Sequence, residues 1–181
     1  MRTRILAAVT GAVLLASMVP TTAHAEYYSI DDPADADASR ADVHAMTARH
    51  GAERLAVSFQ FGDLRRQTGA GIVVYVDTTA GRRGPEYLLS SGLGDGTDYV
   101  LTRARRWRDR GGPLDCDYSA QIRWDVDRFR AVIDRDCLGN PAEVRVSAKM
   151  VDHEDSSDPT VDWVPARRQW SLWLRPGRRV T

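Results

Sequence analysis

Apolar and polar residues alternate with a period of two along most of this chain, and this pattern limits the fold more than any other feature. Leu55, Val57, Phe59 and Phe61 alternate with small or polar residues, as expected for a strand with one buried face. Residues 71–77 are apolar on both faces, which predicts a central strand. No segment keeps the helical i, i+3, i+4 apolar spacing for three turns. The sequence therefore predicts an all-β domain.

The other alternating segments are short and are separated by turn residues. They cover residues 42–49, 87–90, 99–103, 121–126, 129–133, 144–150 and 170–174. About nine strands at this spacing in one domain favour a sandwich or a barrel. Because several strands have one polar face, we expect a single antiparallel, jelly-roll-like β-sandwich with one disulfide.

The first 25 residues have the pattern of a secretory signal peptide. Arg2 and Arg4 precede an apolar run over residues 5–19, and Ala23-His24-Ala25 places small residues at a cleavage site. The alternative is a retained N-terminal anchor. The run is shorter than a typical bilayer span, and no later segment is long and apolar enough to be one. We therefore expect a secreted, extracellular protein without a membrane span after cleavage.

Charge and composition divide the rest of the chain into three parts. These are an acidic leader (residues 26–41), the sandwich (42–175) and a basic tail (176–181). Two of the 25 basic residues and none of the 25 acidic ones lie in residues 1–25, which leaves 23 against 25 and a net charge of −2. This balance argues against nucleic acid or an anionic membrane as a partner.

Cys116 and Cys137 are the only two cysteines. In an exported protein an even count indicates disulfide chemistry, and only one pairing is possible. A hairpin turning at Asp127-Arg128 places Cys116 opposite residue 139, two positions from Cys137. The sequence thus predicts a bridge at the open end of this hairpin; two free thiols are the alternative.

Two groups of acidic residues could bind calcium, which takes oxygen ligands and suits extracellular concentrations. Asp31, Asp32, Asp35 and Asp37 lie close together in the leader, and Asp77 ends the central strand. The alternative interpretations are a solvated acidic leader and a strand-terminating aspartate in a turn.

The densest basic segment is residues 103–110. Here Arg105, Arg106 and Arg108 surround Trp107, an arrangement that could hold a sulfated or carboxylated sugar by charge-assisted hydrogen bonds and stacking. Trp163 is a second candidate platform for a sugar ring, whereas the patterns around Trp124 and Trp170 are typical of core positions. The alternative is a solvated basic loop.

No catalytic signature is present, and His44, His50 and His153 have no spacing that favours catalysis. We therefore expect a non-catalytic domain that binds a carbohydrate or a component of the cell envelope. The alternatives are a small secreted hydrolase with a diffuse site, and a structural or inhibitory envelope protein.

Four short motifs carry a resemblance to a known family. They are Asp31-Asp32-Pro33 with Asp35, Asp42-Val43, the segment from Ile72 to Thr78, and Gly84-Pro85-Glu86-Tyr87. Together they resemble the start of domains related to carbohydrate-binding module family 9 and the DOMON-like sandwiches. Thr79 stands where that pattern has a second acid after Asp77. The resemblance implies a jelly-roll-like sandwich with ligand or metal binding. Residues 107–163 resemble secreted actinobacterial proteins.

Overall fold

A computed structural model describes residues 26–36 and 38–177, in which eleven β-strands form two antiparallel sheets packed together. In spatial order, the first sheet contains β1 (Glu26–Asp31), β2 (Val43–His50), β3 (Arg54–Phe61), β9 (Arg128–Asp134) and β8 (Tyr118–Arg123). The second contains β11 (Thr160–Val164), β10 (Arg145–Asp152), β4 (Ala70–Asp77), β5 (Tyr87–Gly92), β6 (Tyr99–Arg105) and β7 (Arg108–Pro113). The prediction of an all-β sandwich is confirmed.

The core lies between the inner faces of the two sheets. Phe59 and Phe129, on neighbouring strands, have ring centroids 6.2 Å apart and are both buried. On the facing sheet, Ile72, Val74 and Val76 are buried along β4. β4 has neighbours on both sides, β10 and β5, so the predicted central strand is also confirmed. Its alternation sends Tyr75 and Asp77 to the outer face of the second sheet.

Cys116 and Cys137 form the predicted disulfide, with Cα atoms 5.7 Å apart. The hairpin that positions them has a different register from the prediction. The predicted turn was at Asp127-Arg128, whereas in the structure Arg128 already pairs with Arg123. The predicted end of the first strand instead forms a short 3₁₀ turn, Trp124–Val126, followed by Asp127 with φ of 51°. Trp124 is only partly buried, and its indole N–H donates to the Leu93 carbonyl at 3.0 Å. Contacts with distant segments therefore decide the turn.

Both ends of the predicted sandwich differ from the structure. The start of the predicted acidic leader is β1, an edge strand paired with β2 over six residue pairs, in which Tyr28 and Ile30 pack on the core. At the other end, residues 170–174 form one isolated bridge between Val144 and Leu174 instead of a strand, and Leu172 is 73 % exposed. The sequence prediction also lacked two other strands: β7, which has no buried residue, and β11, at Thr160–Val164.

The predicted signal peptide, most of the basic tail (residues 178–181) and Asp37 lie outside the described residues. In the part that the structure describes, no helix is long and apolar enough to cross a membrane.

His50 is fully buried at the end of β2. Its Nδ1 lies 2.8 Å from the Leu174 carbonyl, and its Nε2 is buried and has no hydrogen-bond partner among the residues that the structure describes. Burial lowers the pKa of His50, and the charge of Arg135 lowers it further, although the Leu174 bond and Glu26 act in the opposite direction. We infer that His50 is neutral in the folded protein.

This burial predicts a loss of stability in mild acid. Because the pKa of His50 is lower in the folded than in the unfolded chain, its contribution to the free energy of unfolding is constant above the unfolded pKa and decreases below it. At one pH unit below the ordinary histidine pKa, the free energy of unfolding is reduced by at most about 1.4 kcal/mol. His50→Asn keeps a donor near Leu174 but does not titrate, so its urea denaturation midpoint should fall less than that of the wild type between about pH 7.5 and about pH 5.5. His153→Asn, at an exposed position, is the control; equal pH dependence in wild type and His50→Asn would contradict the prediction.

Candidate functional site

The hairpin β6–β7 carries the basic segment, and its turn consists of Arg106 and Trp107. These residues have φ of 54° and 64°, because a two-residue hairpin turn that matches the twist of its strands requires positive φ at both positions. Asn-Gly is the usual sequence there; arginine and tryptophan adopt this conformation at a cost. Arg105 pairs directly with Arg108 across the hairpin, and like charges at such positions are also destabilising. The hairpin is therefore not optimised for stability.

A second pair of arginines meets this hairpin from the loop before β5. Arg82 and Arg83 line the same cavity of about 570 Å³ as Arg105 and Arg106. All four side chains are exposed, and within the described ranges none forms an ion pair. We call this cavity the arginine pocket. Pro85, Glu86 and Ala104 complete its lining.

Next to this pocket, four aromatic rings pack on the outer face of the second sheet. Trp107 stacks on Trp170 with centroids 4.6 Å apart, and meets the edges of Tyr75 at 4.9 Å and Trp163 at 5.6 Å. Tyr75 and Trp163 are stacked at 5.7 Å. Burial raises the pKa of Tyr75. This aromatic cluster holds the tip of the hairpin against the sheet, and with it Arg105 and Arg106.

Arg145 of β10 connects the aromatic cluster to the buried end of β4. Its guanidinium lies 5.0 Å from the ring of Trp170 and 4.5 Å from that of Trp173. It also binds the carboxylate of Asp77, with N–O distances of 2.6 and 2.8 Å. Asp77 is completely buried, so this ion pair compensates a charge that has no access to water.

Glu86 links this ion pair to the arginine pocket. Its Oε2 accepts a 2.9 Å hydrogen bond from the Thr78 amide. Burial raises the pKa of Glu86, and a hydrogen bond with Asp77 together with the charge of Asp77 adds to that effect, whereas Thr78 and Arg82 lower it. Glu86 is thus an acidic residue in the lining of the arginine pocket, and the charge of Arg82 acts on it.

The structure thus brings most of the predicted ligand-binding residues to one place. Arg105 and Arg106 line the arginine pocket, Arg108 lies opposite Arg105, and Trp107 and Trp163 belong to the aromatic cluster. Trp107 and Trp163 lie against other rings and are half-buried, so less of each ring surface is accessible to a sugar than on a fully exposed tryptophan. Trp170, predicted as core, is half-buried in the same cluster.

Sequence reasoning missed Arg82 and Arg83. They follow Gly81 in a loop, and an Arg-Arg pair in a loop is too common to indicate a site by itself. The loop reaches the hairpin because the pairing of β5 with β6 sets the two side by side, with Tyr87 opposite Arg103.

A second group of polar residues lies where the first sheet meets the edge strand β11. Carboxylate oxygens of Asp32, Asp35 and Asp162 are all within 4.8 Å of one another. Burial raises the pKa of Asp32 to about 7, with further contributions from Asp162, Asp35 and Asp42. Burial also raises the pKa of Asp162, to about 6. We call Asp32, Asp35 and Asp162 the carboxylate cluster.

The predicted metal ligands are therefore separated. Asp32 and Asp35 belong to the carboxylate cluster, whereas Asp31 ends β1 at an exposed position outside it. Asp77 is also outside: Arg145 binds its Oδ2, and the Thr79 amide donates to its Oδ1 at 3.2 Å. The guanidinium of Arg145 thus provides the positive charge that the sequence interpretation gave to a metal ion at Asp77.

No protein-family model matches this chain, and neither the curated proteins nor the solved structures contain a match.

Proposed function

We propose that this protein is a secreted, non-catalytic β-sandwich domain that binds an anionic carbohydrate, such as a carboxylated or sulfated glycan of a cell envelope, in the arginine pocket. The observation that carries the proposal is the set of four arginines around one cavity of about 570 Å³ without an ion-pair partner in the described part of the chain.

The charge distribution supports a specific anionic ligand. The chain after residue 25 has a net charge of −2, so the pocket is a local concentration of positive charge and not the result of a basic protein. Some arginines elsewhere in the fold form ion pairs, such as Arg54 with Asp134 at 2.8 Å and Arg123 with Asp125 at 2.6 Å. An anion in the pocket would reduce the repulsion among the arginines that line it.

The dimensions and chemistry of the site support the class of ligand. A cavity of this volume is in the range that holds small ligands. Guanidinium groups bind carboxylate and sulfate oxygens with two parallel hydrogen bonds. The half-buried Trp107, next to Arg106 in the turn, gives an apolar surface beside these donors, which suits the mixed character of a charged sugar ring.

Isothermal titration calorimetry with oligogalacturonate and with heparin oligosaccharides tests the proposal, with neutral dextran as the reference ligand. We expect binding of at least one anionic ligand that weakens as salt increases. Replacing both Arg105 and Arg106 by glutamine should weaken it by about 10-fold or more, because a hydrogen bond between charged groups contributes roughly 1.5–3 kcal/mol.

The matched control is the double variant Arg128→Gln with Arg130→Gln. These exposed arginines lie on β9 of the other sheet, and their replacement changes the net charge by the same amount. Equal weakening in both double variants would show that binding depends on net charge only. Binding to neither anionic ligand, or stronger binding to dextran, would contradict the proposal.

A further inference from the structure

We propose that the carboxylate cluster is a calcium site that joins the end of the N-terminal strand β1 to β11 of the opposite sheet. Its residues come from the link after β1 (Asp32 and Asp35) and from the inner face of β11 (Asp162). The site is separate from the arginine pocket and does not depend on the proposed function.

The geometry of the oxygens fits one ion. Calcium binds oxygen ligands at 2.3–2.6 Å, so two ligands on opposite sides of the ion are up to about 5 Å apart. The three carboxylates each place an oxygen within 4.8 Å of the other two. A single ion among them can therefore contact all three residues.

Two oxygens in the cluster have no hydrogen-bond partner within the described part of the chain. Asp162 is only 2 % exposed; its Oδ2 accepts a 2.9 Å hydrogen bond from the Val43 amide, but its Oδ1 is buried and has no such partner. The same holds for Oδ2 of Asp32. Buried polar atoms are rarely left unsatisfied, so these two oxygens are available to coordinate a cation.

The surroundings do not supply that positive charge. A further buried aspartate, Asp42, lies beside the cluster: its charge raises the pKa of both Asp32 and Asp162, and it accepts a hydrogen bond from the Ala36 amide at 3.0 Å. Among the described residues, no ion pair involves Asp32, Asp35 or Asp162, and the imidazole Nε2 of His44 lies 3.2 Å from Asp42 and not on the cluster.

The donor set favours calcium over other common ions. All three side chains offer hard carboxylate oxygens, whereas zinc sites usually include histidine or cysteine. Magnesium requires closer, near-octahedral ligands and gives up its water reluctantly. Three carboxylates, with water or backbone carbonyls completing the shell, suit calcium at extracellular concentrations.

Calcium would hold two parts of the sandwich together. β1 is an edge strand that pairs only with β2 in its sheet, and edge strands at a chain terminus open easily. An ion bound by Asp32, Asp35 and Asp162 crosses between the sheets, beside the hydrogen bond from Val43 to Asp162. Residues 26–35 should therefore be ordered more strongly when calcium is bound.

The experiment uses the chain from residue 26 to residue 181, treated with chelator and then titrated with calcium chloride in a calorimeter. We expect one calcium ion per chain, and at saturating millimolar calcium a rise in melting temperature of roughly 5–10 °C, with a much smaller effect of equal magnesium. Hydrogen exchange should slow in residues 26–35.

Two variants and one control test whether the carboxylate cluster binds the calcium ion. Asp162→Asn retains an acceptor for Val43 but lowers the charge, and Asp35→Asn changes an exposed side chain that the fold does not need. Each should weaken calcium binding by about 10-fold or more, while Asp155→Asn, in the exposed loop before β11, should bind as the wild type does. The proposal would be overturned if calcium gave no heat of binding and left the melting temperature unchanged. It would also be overturned if both cluster variants bound calcium with the wild-type affinity.

Discussion

Replacing Arg145 by methionine should lower the free energy of unfolding by about 3–5 kcal/mol, since it leaves the buried carboxylate of Asp77 without its partner. Asp77 has no exposed surface, and the Arg145 side chain is 26 % exposed. Methionine keeps much of the volume beside Trp170 and Trp173 but removes the charge. Urea denaturation at neutral pH measures the loss.

The matched control is Arg123→Met. Arg123 and Asp125 also form a close ion pair, but their side chains are 52 % and 64 % exposed, and exposed pairs contribute about 0–1 kcal/mol. Adding Asp77→Asn to Arg145→Met should recover part of the lost stability, because no buried charge then remains. A loss below about 1 kcal/mol for Arg145→Met would show that water or Glu86 compensates Asp77.

Removing the disulfide by replacing Cys116 and Cys137 with alanine should lower the free energy of unfolding by about 3 kcal/mol. The bridge joins residues 21 positions apart, and the chain-entropy model gives this magnitude for a loop of that length. For a domain of this size the melting temperature should fall by roughly 6–12 °C.

Reduction of the wild type should reproduce this change, and the double alanine variant should be insensitive to reductant. The native protein should show no thiol that reacts with a labelling reagent until it is reduced. A reactive thiol in the native, unreduced protein would contradict the presence of the bridge.

Local pattern was sufficient to predict the layers of the fold. Period-2 alternation places Ile72, Val74 and Val76 on one face of β4 and Tyr75 with Asp77 on the other. The disulfide was also predictable, although the hairpin register was wrong, because only one pairing exists and both registers bring Cys116 close to Cys137.

The candidate sites depend on neighbours that are distant in the sequence. Asp162 lies 127 positions from Asp35, and nothing local to Thr160–Val164 indicates that its carboxylate meets the acidic leader. Arg82 and Arg83 meet Arg105 and Arg106 because of strand pairing. The sequence interpretation expected a metal ion at Asp77. Arg145 binds Asp77 because the register of β10 and β4 places the two residues opposite each other.

A β-sandwich with a single bridge thus follows from local pattern, since burial along a strand depends on residues two apart and the two cysteines allow only one pairing. Which charges meet does not follow from local pattern. Ion pairing, a metal site and an anion pocket each require groups within a few ångströms, and these distances are set by how the strands pair and how the sheets pack.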